Sequence, residues 1–296
     1  MKSNQRHLRF SIFFSMVMCL ALDAVLIVCI MPSNVGAQAP QHAGPKEGYL
    51  ILVGGGRTVS EVDERFVKIA GGKQARIVVI PTTLPDTRLT ADGIAHLKSR
   101  MEELLGVPNI TILHTRDRKV SDSEDFVHPL QEATGIWILG GAEEQLVLSY
   151  VGTRTEQEIH RLVARGGVLG GTSAGAMIQA SYMPTSNEFY TEPILKIIRE
   201  QGTGGGFGLL TNSTVAPHFA QRQYERALKA TIAAHPDLLG IGIDEATALI
   251  VHGSQIEVIG EGRVSLYDGR DHHGQDHLTL SPGGKSDLSK LNAPSK

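Results

Sequence analysis

Short apolar runs alternate with amphipathic segments along residues 48–171, and this alternation predicts the fold. Each run is continuous, so we expect strands within 49–56, 75–83, 109–115, 135–141 and 166–171. The first range runs into a glycine-rich loop, the second ends in a Pro-Thr turn and the fourth ends in glycines. The segments between them predict helices at 59–70, 91–105 and 156–165, with Thr155 and Glu158 as a capping box for the last. Strands that alternate with helices build βαβ units. We therefore expect an α/β fold with a mainly parallel sheet and helices on both faces.

The pattern changes after residue 245, where short strands separated by glycine turns follow one another directly. Their positions, 247–253, 255–262 and 263–269, predict a carboxyl-terminal antiparallel meander near the edge of the sheet. Residues 281–296 are mostly polar, and we expect them to form a disordered tail. Residues 48–280 are then expected to form a single domain.

The first 37 residues differ in composition from the rest of the chain. Three basic residues precede a mostly apolar stretch from Phe10 to Met31, and small residues up to Ala37 follow it. This order is typical of a secretory signal peptide, so residues 1–37 predict a secreted or periplasmic protein with no stable membrane contact after cleavage. The alternative is an uncleaved anchor, which Asp23 in the middle of the stretch disfavours.

Composition excludes several classes of function. The formal net charge is −3, so no basic surface argues for nucleic acid as a partner. Both cysteines, Cys19 and Cys29, lie in the predicted signal peptide, and the mature chain would therefore contain neither a disulfide nor a thiol nucleophile. The glycines at 54–56 lack the spacing of a dinucleotide-binding loop, and no metal-ligand cluster is visible in the sequence. We expect neither a cofactor nor a metal.

The stretch "GGTSAGA" at 170–176 is the strongest candidate for chemistry. Gly171 to Gly175 has the G-x-S-x-G form of a nucleophile elbow, a strained turn that presents a serine between a strand and a helix. The amino end of that helix would favour negative charge near Ser173. Two other interpretations stay open at this point, a phosphate-binding turn and a tight turn without chemistry.

A serine nucleophile needs a base, and the base needs an orienting acid. Among twelve histidines, His218 stands out because a strand-like approach and a proline precede it and a helix-like run follows. Asp244 and Glu245 lie between two apolar runs, where a carboxylate must be paired or exposed at a site. A structural ion pair is the alternative role for Glu245.

These motifs resemble those of cyanophycinases, in the larger family that includes peptidase E. The resemblance rests on "GGTSAGA", "HFAQR" at 218–222 and "GIGIDEATA" at 240–248, and it extends over most of residues 48–268. It implies a fold like that of class I glutamine amidotransferase domains. It also implies Ser173 as nucleophile, His218 as general base and Glu245 as the orienting acid.

The resemblance also has implications for the surroundings of the triad. The N–H of Ala174 and one from the loop Gly140-Gly141, taken as Gly141, are expected to form the oxyanion hole. Gln145 corresponds weakly to a substrate-contacting glutamine, and Arg222 fits the first of several arginines that follow the histidine in the family. Residues 183–206, with Glu188 and Glu192, are a candidate lid.

Cyanophycinases release β-aspartyl-arginine from cyanophycin, a polymer of aspartate with arginine side groups. They usually carry Asp-Gln before the catalytic histidine, whereas this chain has Ala216-Pro217. Three hypotheses follow. The chain is a secreted serine peptidase acting on a peptide or cyanophycin-like polymer, a related dipeptidase or isoaspartyl peptidase acting on other acidic peptides, or a non-catalytic binding protein. Assembly into a homodimer is left open.

Overall fold

Continuous apolar strands from the first half of the chain form the parallel part of an eight-stranded sheet. The computed structural model describes residues 43–57, 59–184 and 191–291, which belong to the unit Gln38–Lys296. The five strands that begin at Tyr49, Ile77, Ile110, Gly135 and Val168 lie side by side in this sheet, and each runs parallel to its neighbours among these five. The expected α/β architecture with a mainly parallel sheet is confirmed.

The strands and helices of the described residues have the following bounds. The strands are β1 Tyr49–Val53, β2 Ile77–Ile80, β3 Ile110–Ile112, β4 Gly135–Ile138, β5 Val168–Thr172, β6 Ser213–Pro217, β7 Leu239–Ile243, β8 Thr247–His252, β9 Gln255–Gly260, β10 Val264–Tyr267, β11 Leu278–Leu280 and β12 Lys285–Asp287. The order of strands in the eight-stranded sheet is β12-β9-β8-β1-β5-β4-β2-β3. The helices are α1 Ser60–Ile69, α2 Ala91–Leu105, α3 Arg118–Ser121, α4 Glu124–Glu132, α5 Glu144–Tyr150, α6 Arg154–Ala164, α7 Ala174–Met177, α8 Glu192–Gln201 and α9 Glu225–Ala234. Among the described residues, no helix is long and apolar enough to cross a membrane.

The main sheet is buried on both faces, which explains why its strands are apolar at consecutive positions. In β1, Leu50 and Leu52 pack into the core that contains residues of α4, α5 and α6. Ile51 and Val53 point to the opposite face and pack with residues of α1 and α2. Alternate side chains of one strand therefore belong to two different hydrophobic cores.

The expected carboxyl-terminal antiparallel strands are confirmed, but the third of them belongs to a second sheet. β8 and β9 form an antiparallel hairpin at the edge of the main sheet, next to β1. β10 instead pairs with β7 and β11, in a four-stranded sheet of order β11-β10-β7-β6. Asp244 holds the start of β10 beside β7. Its N–H donates to the carbonyl oxygen of Arg263, just before β10, and its carboxylate accepts from the N–H of Arg263. A contact between distant residues therefore decides the partner of β10.

The predicted disordered tail is wrong for residues 281–291. Lys285–Asp287 forms β12, which pairs antiparallel with β9. Leu288 and Leu291 follow it and are buried against the main core. Two leucines are enough to anchor this short polar segment, because β9 offers a free edge for its backbone. Residues 292–296 lie outside the described residues, as does the predicted signal peptide.

The proposed capping box of α6 is also wrong. The helix begins after Thr153, and Thr155 lies inside its first turn. The Thr155 hydroxyl donates to the carbonyl oxygen of Ser121 at 2.7 Å, and Glu158 pairs with Arg161. Both side chains are therefore used in tertiary or later helical contacts, which a pattern of spacing alone does not reveal.

Candidate active site

Ser173 lies in a strained turn between β5 and α7. Its backbone has φ 53° and ψ −114°, a combination that a residue with a side chain rarely adopts. Its glycine neighbours permit the close packing of this turn, since a Cβ on Gly171 would lie 2.2 Å from the carbonyl oxygen of Gly175. A Cβ on Gly175 would lie equally close to the carbonyl oxygen of Ile138. The glycines of the G-x-S-x-G motif are therefore required by the backbone contacts around the serine.

The three residues of the expected triad are hydrogen-bonded in series. The Oγ atom of Ser173 lies 2.9 Å from Nε2 of His218, and Nδ1 of His218 lies 2.6 Å from Oε1 of Glu245. In the tautomer with the proton on Nδ1, this N–H donates a hydrogen bond to the carboxylate, and Nε2 accepts one from the serine hydroxyl. His218 is 8% exposed, and the Glu245 side chain is 37% exposed. This is the connectivity required of a nucleophile, a base and an orienting acid.

The end of β1 supports all three members of this series. The carbonyl oxygens of Val53 and Gly54 accept from the N–H groups of Ser173 and His218, at 2.9 and 2.7 Å. The next carbonyl, that of Gly55, accepts from the N–H of the residue after Glu245, at 3.0 Å. Three consecutive carbonyl groups thus fix the backbone beside each functional side chain. The apolar strand with its glycine-rich end is the part of the sequence that holds the series together.

Glycines 55 and 56 leave room for the imidazole and the carboxylate. A Cβ on Gly55 would lie 2.2 Å from Cε1 of His218, and one on Gly56 would lie 2.8 Å from Oε2 of Glu245. In the sequence, this run is recognisable only as a glycine-rich strand end that lacks the spacing of a dinucleotide-binding loop. The run of three glycines was the signal, but its role depends on residues more than 150 positions away.

Asp244 and Glu245 have different surroundings, although the sequence places them side by side. The carboxylate of Asp244 accepts from the N–H groups of Ala220 and Arg263, at 3.1 and 3.0 Å. The N–H of Glu245 donates to Oε1 of Gln221, and the carboxylate of Glu245 is hydrogen-bonded to His218. Asp244 therefore joins loops, whereas Glu245 contacts the imidazole.

The loop Gly140-Gly141 lies beside Ser173, as the sequence predicts. A Cβ on Gly140 would lie 3.0 Å from Cβ of Ser173, and both glycines line the same cavity as the serine. Within the described residues, the N–H groups of Gly141 and Ala174 donate to no acceptor. Thr83 holds the loop from behind, since its hydroxyl donates to the carbonyl oxygen of Gly140 at 2.8 Å and its own carbonyl oxygen accepts from the N–H of Ala142. Sequence reasoning assigned no role to Thr83.

A cavity of about 760 Å³ opens at the Ser173–His218 pair. Arg222 and Glu143 line it, but Gln145 is absent from its described lining. Burial raises the pKa of the Glu143 carboxyl above its ordinary value, and the nearby Arg222 guanidinium opposes part of that rise. The acidic residue at this wall is therefore Glu143, two positions before the glutamine that the resemblance suggested. The role of Gln145 stays a prediction.

The structure describes only part of the candidate lid, residues 183–184 and 191–206. Glu188 lies outside the described residues. Glu192 begins helix α8 and pairs with Arg199 on the same helix, and it does not line the cavity. Tyr182 and Pro184, which come just before the undescribed stretch, do line it.

The site has the parts needed for acyl transfer, namely a hydroxyl bonded to an imidazole, an orienting carboxylate and free backbone N–H groups beside the hydroxyl. Among the described residues, no group of three or more histidine, cysteine or carboxylate side chains is placed to bind a metal ion.

The sequence and the fold both match known peptidases. The model of peptidase family S51 matches residues 50–259. A cyanophycinase of Geminocystis herdmanii is 31% identical over 212 residues, which are 71% of this chain and 75% of the relative. A cyanophycinase of Synechococcus elongatus is 32% identical over 238 residues, which are 78% of this chain and 71% of the relative.

Two solved structures resemble the fold. A peptidase from an acI-B1 Actinobacterium superposes with a TM-score of 0.61 at 25% identity, over 84% of this chain and 98% of that one. A putative peptidase E protein from Listeria monocytogenes EGD-e superposes with a TM-score of 0.51 at 18% identity, over 73% of this chain and 99% of that one. The second likeness shows the fold alone.

Proposed function

The chain belongs to peptidase family S51 and is a serine-type peptidase, and from this premise we propose that Ser173, His218 and Glu245 are its catalytic triad. The observation that carries the proposal is the unbroken series of hydrogen bonds from Oγ of Ser173 through the imidazole of His218 to the carboxylate of Glu245. Family membership and this series together disfavour a non-catalytic binding protein.

The geometry supports a two-step reaction through an acyl-enzyme. Oγ of Ser173 attacks the carbonyl carbon of the scissile bond while Nε2 of His218 takes the hydroxyl proton. The carbonyl oxygen becomes an oxyanion, which accepts hydrogen bonds from the N–H groups of Gly141 and Ala174. The tetrahedral intermediate collapses, His218 gives its proton to the leaving amine, and the carbonyl carbon remains as an ester on Ser173. Water, deprotonated by His218, then cleaves the ester.

We propose peptides with β-aspartyl bonds as the substrates. Relatives named cyanophycinase support recognition of β-aspartyl residues, since release of β-aspartyl-arginine breaks the aspartate backbone and leaves the β-aspartyl bond intact. Cleavage of the β-aspartyl bond itself is supported by the cationic Arg222 at the cavity wall, which fits an acidic residue that keeps a free α-carboxylate. Because Ala216 and Pro217 precede His218, that position provides no carboxylate for a substrate guanidinium. The preference for arginine on the leaving side is therefore expected to be weak, and other acidic isopeptides are the alternative substrates.

The proposal is tested by product analysis and by labelling. The purified chain from Gln38 onward is incubated with cyanophycin and with β-aspartyl dipeptides, and the products are identified by mass spectrometry. Ser173→Ala and His218→Ala should each lower turnover by about 10⁴-fold or more with the fold intact, and Glu245→Gln should lower it less. A serine-directed covalent inhibitor should modify Ser173. Full activity in Ser173→Ala, or labelling at another serine, would exclude the triad.

We also propose that the protein is exported, because basic, apolar and small residues follow one another in residues 1–37. Sequencing of the amino terminus of the exported protein should give a start near Gln38. A start at Met1 would restore the anchor as the better interpretation.

A further inference from the structure

The cavity at Ser173 extends well beyond the triad, between β6 and α9. Thr214 and Ala216 of β6 and three alanines of α9, Ala227, Ala230 and Ala234, contribute to its lining. His218 follows the end of β6 directly, and the N–H of Tyr224 at the start of α9 donates to the carbonyl oxygen of Phe219. Each element therefore has one end near His218 and extends from there over roughly 13–15 Å, at the usual rise per residue.

This extension is lined by small and uncharged side chains. The three alanines recur at spacings of three and four residues, so they lie on one face of α9, and each is exposed at the cavity. Among the described residues of the lining, Glu143 and Arg222 carry the carboxylate and the guanidinium, and both are close in sequence to the reacting centre, near Gly141 and His218. The part of the cavity along α9 thus lacks a charged partner for a substrate side chain.

The far end of the extension is aromatic. Tyr182 and His235 line it, with ring centroids 4.6 Å apart. Their faces and edges offer contact area to an apolar or aromatic group.

An unpartnered hydroxyl gives an independent indication of a ligand. Thr214 is completely buried and lines the cavity, and its Oγ1 has no hydrogen-bond partner within the described residues. A buried hydroxyl without a partner is unfavourable and uncommon in folded proteins. A bound group with a polar atom at this depth would satisfy it.

The chemistry of the triad decides which part of a substrate enters this space. His218 must reach the leaving amine to protonate it, so the leaving residue lies on the side of His218. β6 ends beside His218 and lines the cavity together with α9, so both flank that side. Gly140-Gly141 lies beside Ser173, where the carbonyl oxygen would be held.

We infer that the space between β6 and α9 is a subsite for an uncharged, mainly apolar side chain on the leaving residue. The hydroxyl of Thr214 provides one hydrogen bond for a polar group on that side chain. This inference rests on the proposed acyl transfer, because the assignment to the leaving side depends on the role of His218. A charged side chain there would lose its hydration without gaining a partner, so neutral leaving residues are preferred over arginine, lysine and glutamate.

The test compares kcat/KM for β-aspartyl dipeptides that differ only in the leaving residue. Tyrosine and phenylalanine should exceed arginine and glutamate by at least about 10-fold. Ala230→Leu fills the space between β6 and α9. It should lower the ratio of kcat/KM for the tyrosine substrate to that for the alanine substrate by about 10-fold or more. Ala233→Leu is the matched control, since Ala233 is exposed on the same helix but does not line the cavity, and it should leave that ratio unchanged.

A second variant addresses the hydroxyl. Thr214→Val has nearly the same shape, and it should lower the ratio of the tyrosine to the phenylalanine substrate by about 3- to 10-fold, which is the usual effect of losing one neutral hydrogen bond. An arginine substrate that exceeds the tyrosine substrate, or ratios that are equal in Ala230→Leu and Ala233→Leu, would overturn the subsite.

Binding to the Ser173→Ala protein separates this inference from the proposed function. Calorimetry with L-tyrosinamide and L-argininamide measures occupation of the subsite without turnover. Tighter binding of L-tyrosinamide that is weakened by Ala230→Leu supports the subsite, even if the wild-type protein hydrolyses no β-aspartyl bond and the proposed substrate class fails. Hydrolysis of the dipeptides without any preference among leaving residues overturns the subsite alone.

Discussion

Ser173 and His218 share an unusual backbone conformation, since both have φ 53° although neither is glycine. Such a conformation typically costs about 1–3 kcal/mol per residue and persists only where neighbouring contacts enforce it. The contacts here are the hydrogen bonds to the carbonyl groups of Val53 and Gly54. Strain at Ser173 and His218 is therefore offset by hydrogen bonds to the end of β1, which lies at the centre of the main sheet.

The candidate triad could be predicted at this scale, but the contacts that hold it in place could not. Ser173, His218 and Glu245 lie in motifs with recognisable spacing, and the structure brings them together. Thr83 and Gly55 act through close backbone contacts with residues that are distant in the sequence. A single sequence contains no measure of such proximity, so these residues became visible only in the fold.

Gly55 provides the sharpest prediction at the residue scale. Gly55→Ala would place a methyl group 2.2 Å from the imidazole of His218, at a φ of +94° that disfavours any side chain. The ring must move away from Ser173, so kcat/KM should fall by about 100-fold or more, because displacement of a reacting group by 1 Å has an effect of this order.

Gly72→Ala is the matched control for this change. Gly72 also has a positive φ, +63°, but a Cβ there would meet no atom within 4 Å. It should lower the free energy of unfolding by about 1 kcal/mol and leave kcat/KM unchanged. Equal activity of the two variants would show that the loop does not position His218. Kinetics and urea unfolding on the same preparations distinguish the two effects.

At the scale of elements, local pattern was sufficient wherever a segment packs against its neighbours in sequence. Helices α1 and α2 agree closely with their predicted spans, and the five parallel strands lie at the predicted positions but are shorter than the predicted runs. These elements are recognisable because both faces of the strands and one face of each helix are buried. Pattern failed where a distant partner decides the pairing. β10 pairs with β7 and not with the hairpin of β8 and β9, and β12 pairs with the free edge of β9. The polar composition of residues 281–296 concealed Leu288 and Leu291, which are buried.

At the scale of the whole molecule, the two sheets have different roles. The main sheet contributes Ser173 and the carbonyl groups that hold the triad, whereas β6 and β7 of the second sheet lead directly to His218 and to Glu245. The site therefore forms only when the two sheets pack together. Activity and global stability are linked for this reason, and conditions that weaken the fold as a whole should also reduce turnover.

One such condition is a rise in pH, because of a buried carboxyl group away from the active site. Asp63 of α1 is buried, and this burial, with a smaller contribution from Glu64, raises its pKa from 3.8 to about 6. Between these two values the folded chain binds more protons at this position than the unfolded chain. The contribution of Asp63 to stability is therefore greatest below pH 3.8 and is lost as the pH rises through about 6.

Asp63→Asn should remove this loss. At a pH of about 7.5 the variant should have a free energy of unfolding higher than that of the wild type by about 1–2 kcal/mol. This value is smaller than the full shift in pKa implies, because Asp63 lines an open cavity between α1 and α2 and solvent screens its charge. At a pH of about 4 the two proteins should differ little, since the wild-type carboxyl is then largely protonated in the folded state. Urea unfolding at both pH values measures the difference, and Asp92→Asn, at an exposed position in the first turn of α2, controls for the change in charge. A gain in stability that is the same at both pH values, or that also occurs in Asp92→Asn, would mean that burial of the Asp63 carboxylate does not set the pH dependence of the fold.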